Sequence, residues 1–252
     1  MNNFMDEFFR RKEDGFVFDS YSFLHLILFA FMVIVAILLY KYRRKIKENK
    51  KIYKYVRFIF IFLLAFQQIS FLYFICFVRK DTINEALPLY TCRISIYSGF
   101  FALIFNSNNL KILTIFWGLI GGIIGLIFPD LMPYSWPHIM YVNFFLTHFL
   151  VFWVSLFFLI VDKIQIKKEN LKFLFIFVNV FLLITEIINL KFNLNYAYLS
   201  YSPVFTNLLN KLPAIIYFLL AAILYNFSIY LNFYIFIKLK LIEVDCYYFA
   251  KF

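Results

Sequence analysis

Seven apolar runs, each near the length needed to cross a bilayer, constrain this chain more than any other feature of it. They fall at about 21–40, 55–78, 87–105, 110–128, 138–161, 172–190 and 211–237. A hydrocarbon core about 30 Å thick takes roughly 20 helical residues at 1.5 Å each. Inside it the backbone must bond to itself, which leaves helices or closed barrels, and no alternating barrel pattern is present. The expected fold is all-α: a polytopic membrane protein of seven transmembrane helices over 21–237. An interfacial segment at 1–20 precedes it and a cytoplasmic tail at 238–252 follows. Composition closes off the soluble alternative. Hydrophobic residues make up 64% of the 252, against about 45–50% apolar in ordinary soluble domains.

The net charge of +11 would suit a nucleic-acid partner if it formed one surface. Instead the cations cluster between apolar runs, so no nucleic acid is expected. KYRRKIKENKKIYKY (Lys41 to Tyr55), DKIQIKKENLK (Asp162 to Lys172) and the tail from Lys238 fall on one side if all seven runs span. The positive-inside rule makes that side cytoplasmic, with the N-terminus outside and the C-terminus inside. A multi-pass protein of the cell membrane is the expected setting. In the first segment Asp6, Glu7, Glu13 and Asp14 surround Arg10, Arg11 and Lys12, as an interfacial helix would tolerate.

Three cysteines, Cys76, Cys92 and Cys246, lack the paired spacing of a disulfide framework. No CxxC or HExxH pattern is present, so no metal and no cofactor are expected. The fourth run, GLIGGIIGLIF, puts Gly118, Gly121, Gly122 and Gly125 near one face, which predicts close helix packing there.

Ionisable and polar groups within spans are costly and draw attention to function. Arg93 lies one turn into the third run, where it can also snorkel to the outer interface. His148 lies ten residues into the fifth, roughly 15 Å deep. Glu186 lies in the outer half of the sixth. Gln67, Gln68, Asn143, Asn179, Asn226 and Asn232 read as interhelical hydrogen-bonding residues, and His25 as interfacial. His138, Tyr141, Phe145 and His148 recur on one helical face, as packing or as the wall of a cavity. A thiol becomes nucleophilic when a cation favours its thiolate and a histidine takes its proton. Cys92, Arg93 and His148 offer those three parts if they meet.

LPLYTC (Leu87 to Cys92) resembles the LPLHLC-type opening of the YwaF-like integral membrane proteins of bacteria, which are related to the transmembrane protein 164 family. The likeness continues through FWGLIGGIIGLIFPDL (Phe116 to Leu131), HIMYVNFFLTH (His138 to His148) and NYAYLS (Asn195 to Ser200). It covers roughly Leu87 to Pro213, in order. Tyr90 departs from it, standing where the bacterial motif commonly has His. The resemblance implies a seven-helix fold and, from the eukaryotic branch, transfer of acyl chains between phospholipids through a Cys and a His. By motif these fall on Cys92 and His148.

The leading expectation is a membrane acyltransferase or lipase-like enzyme acting on phospholipids or lysolipids. Cys92 is its nucleophile and His148 its base. Arg93, Asn143 and Tyr196 are candidate oxyanion donors, and Tyr141, His138, Glu186 and Asn195 complete the candidate substrate-binding set. The alternative is a transporter using Arg93, His148 and Glu186. Against it, the Gly-rich fourth run has no partner in a repeated half. A third reading is a scaffold whose polar residues only hold helices together.

Overall fold

Each apolar run becomes a helix. The computed structural model describes residues 4–81 and 86–238. We label the helices α1 (Phe23–Glu48), α2 (Lys50–Tyr73, continued by a π-helical turn Phe74–Arg79), α3 (Thr91–Phe105), α4 (Asn108–Ile127), α5 (Ile139–Leu156, continued by a π turn Phe157–Asp162), α6 (Lys168–Phe192) and α7 (Ala214–Lys238). Among the described residues there is no strand. Six of these helices are long and apolar enough to cross a membrane, whereas α3, at 15 residues, is shorter. Their outward faces are greasy: Ile34, Ile37, Leu183, Ile187 and Ile223 are all about half exposed or more. Apolar side chains in those positions fit a hydrocarbon solvent, not water.

The helices start and stop where the chemistry allows. Ser22 caps α1, its Oγ accepting from the His25 N–H. Asn49 ends α1 and begins α2, its Oδ1 accepting from Lys51 and Ile52 N–H at 3.0 and 3.1 Å. Asn106 and Asn193, both left-handed (φ 54°), follow the ends of α3 and α6. The α3 run was expected from Leu87 and is helical only from Thr91. Pro88 biases Leu87 away from helical backbone, and Leu87–Tyr90 lead in without helix.

The chain divides into two compact units. One comprises residues 1–88 and 92–162, the other 89–91 and 163–252.

In the first unit α4 and α5 pack most closely, and glycines make this possible. A Cβ on Gly118 would overlap Ser155, and one on Gly122 would lie 2.8 Å from Phe152 Cβ and 2.9 Å from the His148 carbonyl oxygen. Such contact supplies the van der Waals attraction that joins helices where lipid removes the hydrophobic drive. The expected glycine face is thus Gly118, Gly122 and Gly125. Gly121 has open space beside it and belongs to another face.

The helices of this unit alternate in direction. At one end the start of α1, the end of α4, the end of α2 and the start of α5 are joined. His25 bonds Leu126 O at 2.6 Å, Arg79 pairs with Glu13, and Arg10 donates to Ser135 O and Pro137 O. At the other end Tyr53 and Lys111 both bond Asp162, and Arg57 donates to the C-terminal carbonyl of Leu103 in α3. His25 is therefore a buried cap on the end of α4.

The N-terminal segment is a strap. Among its described residues only Phe4–Phe8 is helical, and Arg10, Arg11 and Asp14 bond to residues 133–138. Asp14 accepts from the Ser135 N–H and hydroxyl and from Arg10. Burial pulls its carboxyl up. The bonds from Ser135, the Phe16 N–H and Arg10 outweigh this and hold it well below the usual carboxylate range. Phe16 and Phe18 then cover Tyr141 and Phe145.

In the second unit α6 and α7 are joined by a reciprocal pair of amide bonds between Asn179 and Asn226, at 3.0 and 3.2 Å. This is the interhelical role expected of them. Between the two helices lies a loop containing the 3-10 turn Tyr196–Tyr198.

Candidate functional site

His148 sits on the glycine face along which α5 packs on α4. Its ring lies over Gly125, where any Cβ would overlap the imidazole, and beside the Phe144 ring, with centroids 4.4 Å apart. Its Nδ1 is 2.7 Å from the Phe144 carbonyl oxygen. A carbonyl only accepts, so Nδ1 carries the proton and the Nε2 of the neutral ring keeps its lone pair. Among the described residues no group donates to Nε2. The residue is 8% exposed.

Cys92 is the second residue of α3 and a half-buried free thiol. No hydrogen bond joins it to His148. Its helix is fixed among three others. Ser98 Oγ lies 2.8 Å from Thr114 Oγ1 on α4. A Cβ on Gly99 would lie 3.4 Å from Val154 on α5. Arg93 turns toward α2, its Cζ 3.3 Å from the centroid of the Phe71 ring. This is a cation–π contact, so Arg93 is engaged with its neighbour helix.

Asn143 belongs to a polar network between α2 and α5. Gln67 Nε2 donates to Thr147 Oγ1 at 2.6 Å, and Ser70 Oγ, which donates to the Gln67 carbonyl at 3.0 Å, lies 3.1 Å from the Asn143 side-chain amide. The interhelical role expected of Gln67 and Asn143 is present. The participation of Ser70 and Thr147, one turn from them on the same faces, was legible only with the partner helix in place.

His138 caps α5. Its Nδ1 accepts from the Met140 N–H at 3.1 Å, so its Nε2 carries the proton and donates to Arg10 O at 3.0 Å. With both nitrogens engaged and the ring stacked on Tyr134, His138 holds the strap. Tyr141 is buried beneath that strap. The shared face of His138, Tyr141, Phe145 and His148 is thus closed by aromatic packing over its first turns.

In the second unit Asn189 takes both backbone polar groups of Tyr196: its Oδ1 accepts from Tyr196 N–H at 2.8 Å and its Nδ2 donates to Tyr196 O at 3.0 Å. Asn195 Oδ1 accepts from the N–H groups of Ser200 and Tyr201, closing the NYAYLS loop on itself. Ala197 and Tyr198 are both left-handed, a strained pair held by Tyr225 and Tyr217 hydroxyls on their carbonyls. Tyr90 packs on the rings of Tyr196 and Tyr198, at 5.1 and 5.6 Å. The aromatic residue of LPLYTC therefore meets NYAYLS across about a hundred residues of chain. Glu186 is half-buried, 3.5 Å from Asn189 Nδ2.

A second buried polar cluster went unread in the sequence. Lys111 and Asp162 pair at 2.5 Å with side chains 9% exposed, and Tyr53 donates to the same carboxylate at 2.9 Å. Lys111 opens α4 and Asp162 closes α5. Each reads alone as a flanking charge, and only the antiparallel pairing of the two helices brings them together. Among the described residues no group of His, Cys, Asp and Glu could hold a metal ion.

These elements define a multi-pass helical membrane protein with polar side chains gathered inside its apolar helices. The chain belongs to the TMEM164 family, whose model matches residues 20–234. The match takes in α1 and α2 as well as the motifs from Leu87 onward. Comparison with curated proteins and with solved structures gives no match.

Proposed function

We propose that this protein is a membrane acyltransferase, or a lipase-like hydrolase, that uses Cys92 as nucleophile and His148 as base on the acyl esters of membrane phospholipids or lysolipids. The observation that carries the reading is the tautomer of His148: with Nδ1–H committed to Phe144 O, its Nε2 is the proton acceptor. The Cys92 thiol gives its proton to that nitrogen as sulfur bonds the ester carbonyl carbon. The tetrahedral intermediate then breaks its C–O bond, and the departing alkoxide takes the proton back, leaving a thioester. An acceptor hydroxyl, or water, reverses the sequence. Its oxygen bonds the acyl carbon, its proton passes through His148, and the thiolate leaves and is reprotonated. Purified protein given a phospholipid in nanodiscs should gain one acyl mass on Cys92. Absence of any adduct or acyl turnover would overturn the reading.

The notch that holds the imidazole gives a second test. Gly125→Ala forces the His148 ring to move, because the new methyl would occupy its place. A misplacement of about 1 Å costs roughly a hundredfold in rate. Gly121→Ala, with nothing near it, leaves the rate unchanged. Equal initial rates for the two variants would remove His148 from the mechanism.

All seven helices cross the membrane in this proposal, with the N-terminus outside, the C-terminus in the cytoplasm and the cell membrane as the setting. Helix α3 covers about 22 Å at 1.5 Å per residue, and the non-helical Leu87–Tyr90 completes the crossing. Single cysteines placed at 47 and 168 should be shielded from an impermeant reagent outside the cell, and those at 130 and 195 should react. Labelling at 47 but not at 195 would invert the topology.

A further inference from the structure

The hairpin of α1 and α2 carries charge that the protein does not neutralise. Between Lys41 and Arg57 every charged side chain but Glu48 is Lys or Arg. Arg43 and Arg57 turn back onto the protein, one over the Tyr40 ring at 3.8 Å and the other donating to the Leu103 carbonyl. Arg44, Lys45, Lys47, Lys50, Lys51 and Lys54 are exposed, and among the described residues none of them makes an ion pair. Arg10, Arg79 and Lys111, by contrast, each have a carboxylate partner. The hairpin turns without a linker, because Asn49 ends α1, starts α2 and caps it with its side chain. Ile46 is buried, and Tyr53 and Arg57 are bonded to Asp162 and to the end of α3. The cationic tip is thus fixed in place. Lys45, Lys50 and Lys51 stand with Glu48 and Asn49 around an open hollow of about 700 Å³.

We propose that the tip of this hairpin is a binding surface for acidic phospholipids, with the phosphate of one headgroup seated among Lys45, Lys50 and Lys51. Height favours a lipid. Phe23 to Leu39 contain no Lys, Arg, Asp or Glu and cover about 26 Å, most of a hydrocarbon core about 30 Å thick. Tyr40 to Glu48 add about 13 Å of helix, enough to pass through a headgroup layer of roughly 5–8 Å. Tyr40, Tyr42 and Tyr55 are exposed beside the cations, as aromatic side chains are at a membrane surface. The tip therefore stands where headgroups are concentrated, whereas a free anion must reach it from dilute solution. Charge selects among the lipids. Three ammonium groups outnumber the one carboxylate around the hollow. Ammonium groups only donate and phosphate oxygens only accept, so their bonds are charge-assisted. A zwitterionic headgroup brings its own cation, which the lysines repel. A fixed hairpin also loses little conformational freedom when the lipid arrives. The inference needs neither acyl transfer nor a particular direction of the chain across the membrane.

The test places the full chain in nanodiscs of dioleoylphosphatidylcholine and dioleoylphosphatidylglycerol in equal parts, which differ in net charge and not in acyl chains. Lipids that stay bound on release are counted by native mass spectrometry. The wild type should retain the glycerol lipid over the choline lipid by about tenfold, and the ratio should fall as salt is raised. The triple variant Lys45→Gln, Lys50→Gln, Lys51→Gln should bring the ratio near one with unfolding temperature retained, since all three side chains are exposed. The variant Lys163→Gln, Lys167→Gln, Lys172→Gln removes the same charge from other exposed positions and should keep the preference. A wild-type ratio near one overturns the surface, whether or not the variants fold. So does a preference that survives in the folded hairpin variant, or an equal loss in both variants, which would make net charge the cause. Loss of the preference on adding millimolar inorganic phosphate at constant ionic strength would assign the hollow to free phosphate and overturn the lipid as its occupant.

Discussion

Cys92→Ala is expected to abolish acyl transfer, and Cys76→Ala to leave it near the wild-type rate. The two thiols differ in setting. Cys76 is exposed on the π turn that ends α2. Cys92 is half-buried at the start of α3, next to the cation that rests on Phe71, in a helix fixed among α2, α4 and α5. Losing a nucleophile removes the chemical step and should lower the rate by roughly a thousandfold or more, with substrate affinity little changed. Cys92→Ser separates chemistry from shape. A hydroxyl keeps nearly the same volume but ionises far less readily, so the rate should still fall steeply. The measurement is the initial rate in lipid nanodiscs at matched amounts of folded protein. A Cys92→Ala rate close to wild type would leave Cys92 a buried spacer and Arg93 a packing cation. Cys246, the third thiol, lies outside the described residues, and its Ala variant is expected to keep full activity.

What could be read in the sequence follows from the range of the forces involved. Helix existence depends on runs of apolar side chains, a local property, and all seven runs became helices. Glycine contacts follow from helical phase, so Gly118, Gly122 and Gly125 were within reach of a periodicity argument. Gly121 was misplaced because it stands at the edge of that face, about 60° from Gly118. Roles set by distant backbone were not legible. His138 reads as a cavity residue until Arg10 O, 128 residues away, takes its Nε2. The bond from His25 to the end of α4 likewise needs that helix in place beside it. The strap at 9–18 carries charges that suggest an interfacial helix. Of these, Arg10, Glu13 and Asp14 are bonded to Ser135, Pro137 and Arg79, and the helical turn is confined to Phe4–Phe8 among the described residues. For the candidate site, residue types were visible and contacts were not. The depth of His148 could be counted along α5, but its tautomer depends on the Phe144 carbonyl and its position on the notch at Gly125.

The Lys111–Asp162 pair should give the largest change in stability. Lys111→Met leaves the Asp162 carboxylate buried with only the Tyr53 hydroxyl and no counter-charge. Removing one partner of a buried pair costs about 3–5 kcal/mol, because the remaining charge keeps its desolvation penalty and loses its attraction. Membrane surroundings offer that charge little water, so relaxation toward solvent is restricted at 9% exposure. Lys111→Met combined with Asp162→Asn should recover most of the loss. The neutral amide still accepts from Tyr53 on its oxygen, and the methionine chain still packs over Phe158, where the ammonium now lies 5.4 Å from the ring centroid. Asp162→Asn alone should be destabilising in turn, since it strands the ammonium. Unfolding in detergent, followed by helix content, gives the three numbers of the cycle. The expected pattern is two costly single variants and a mild double one. A Lys111→Met variant within about 1 kcal/mol of wild type would mean the pair is solvated at the membrane edge and worth no more than an exposed ion pair.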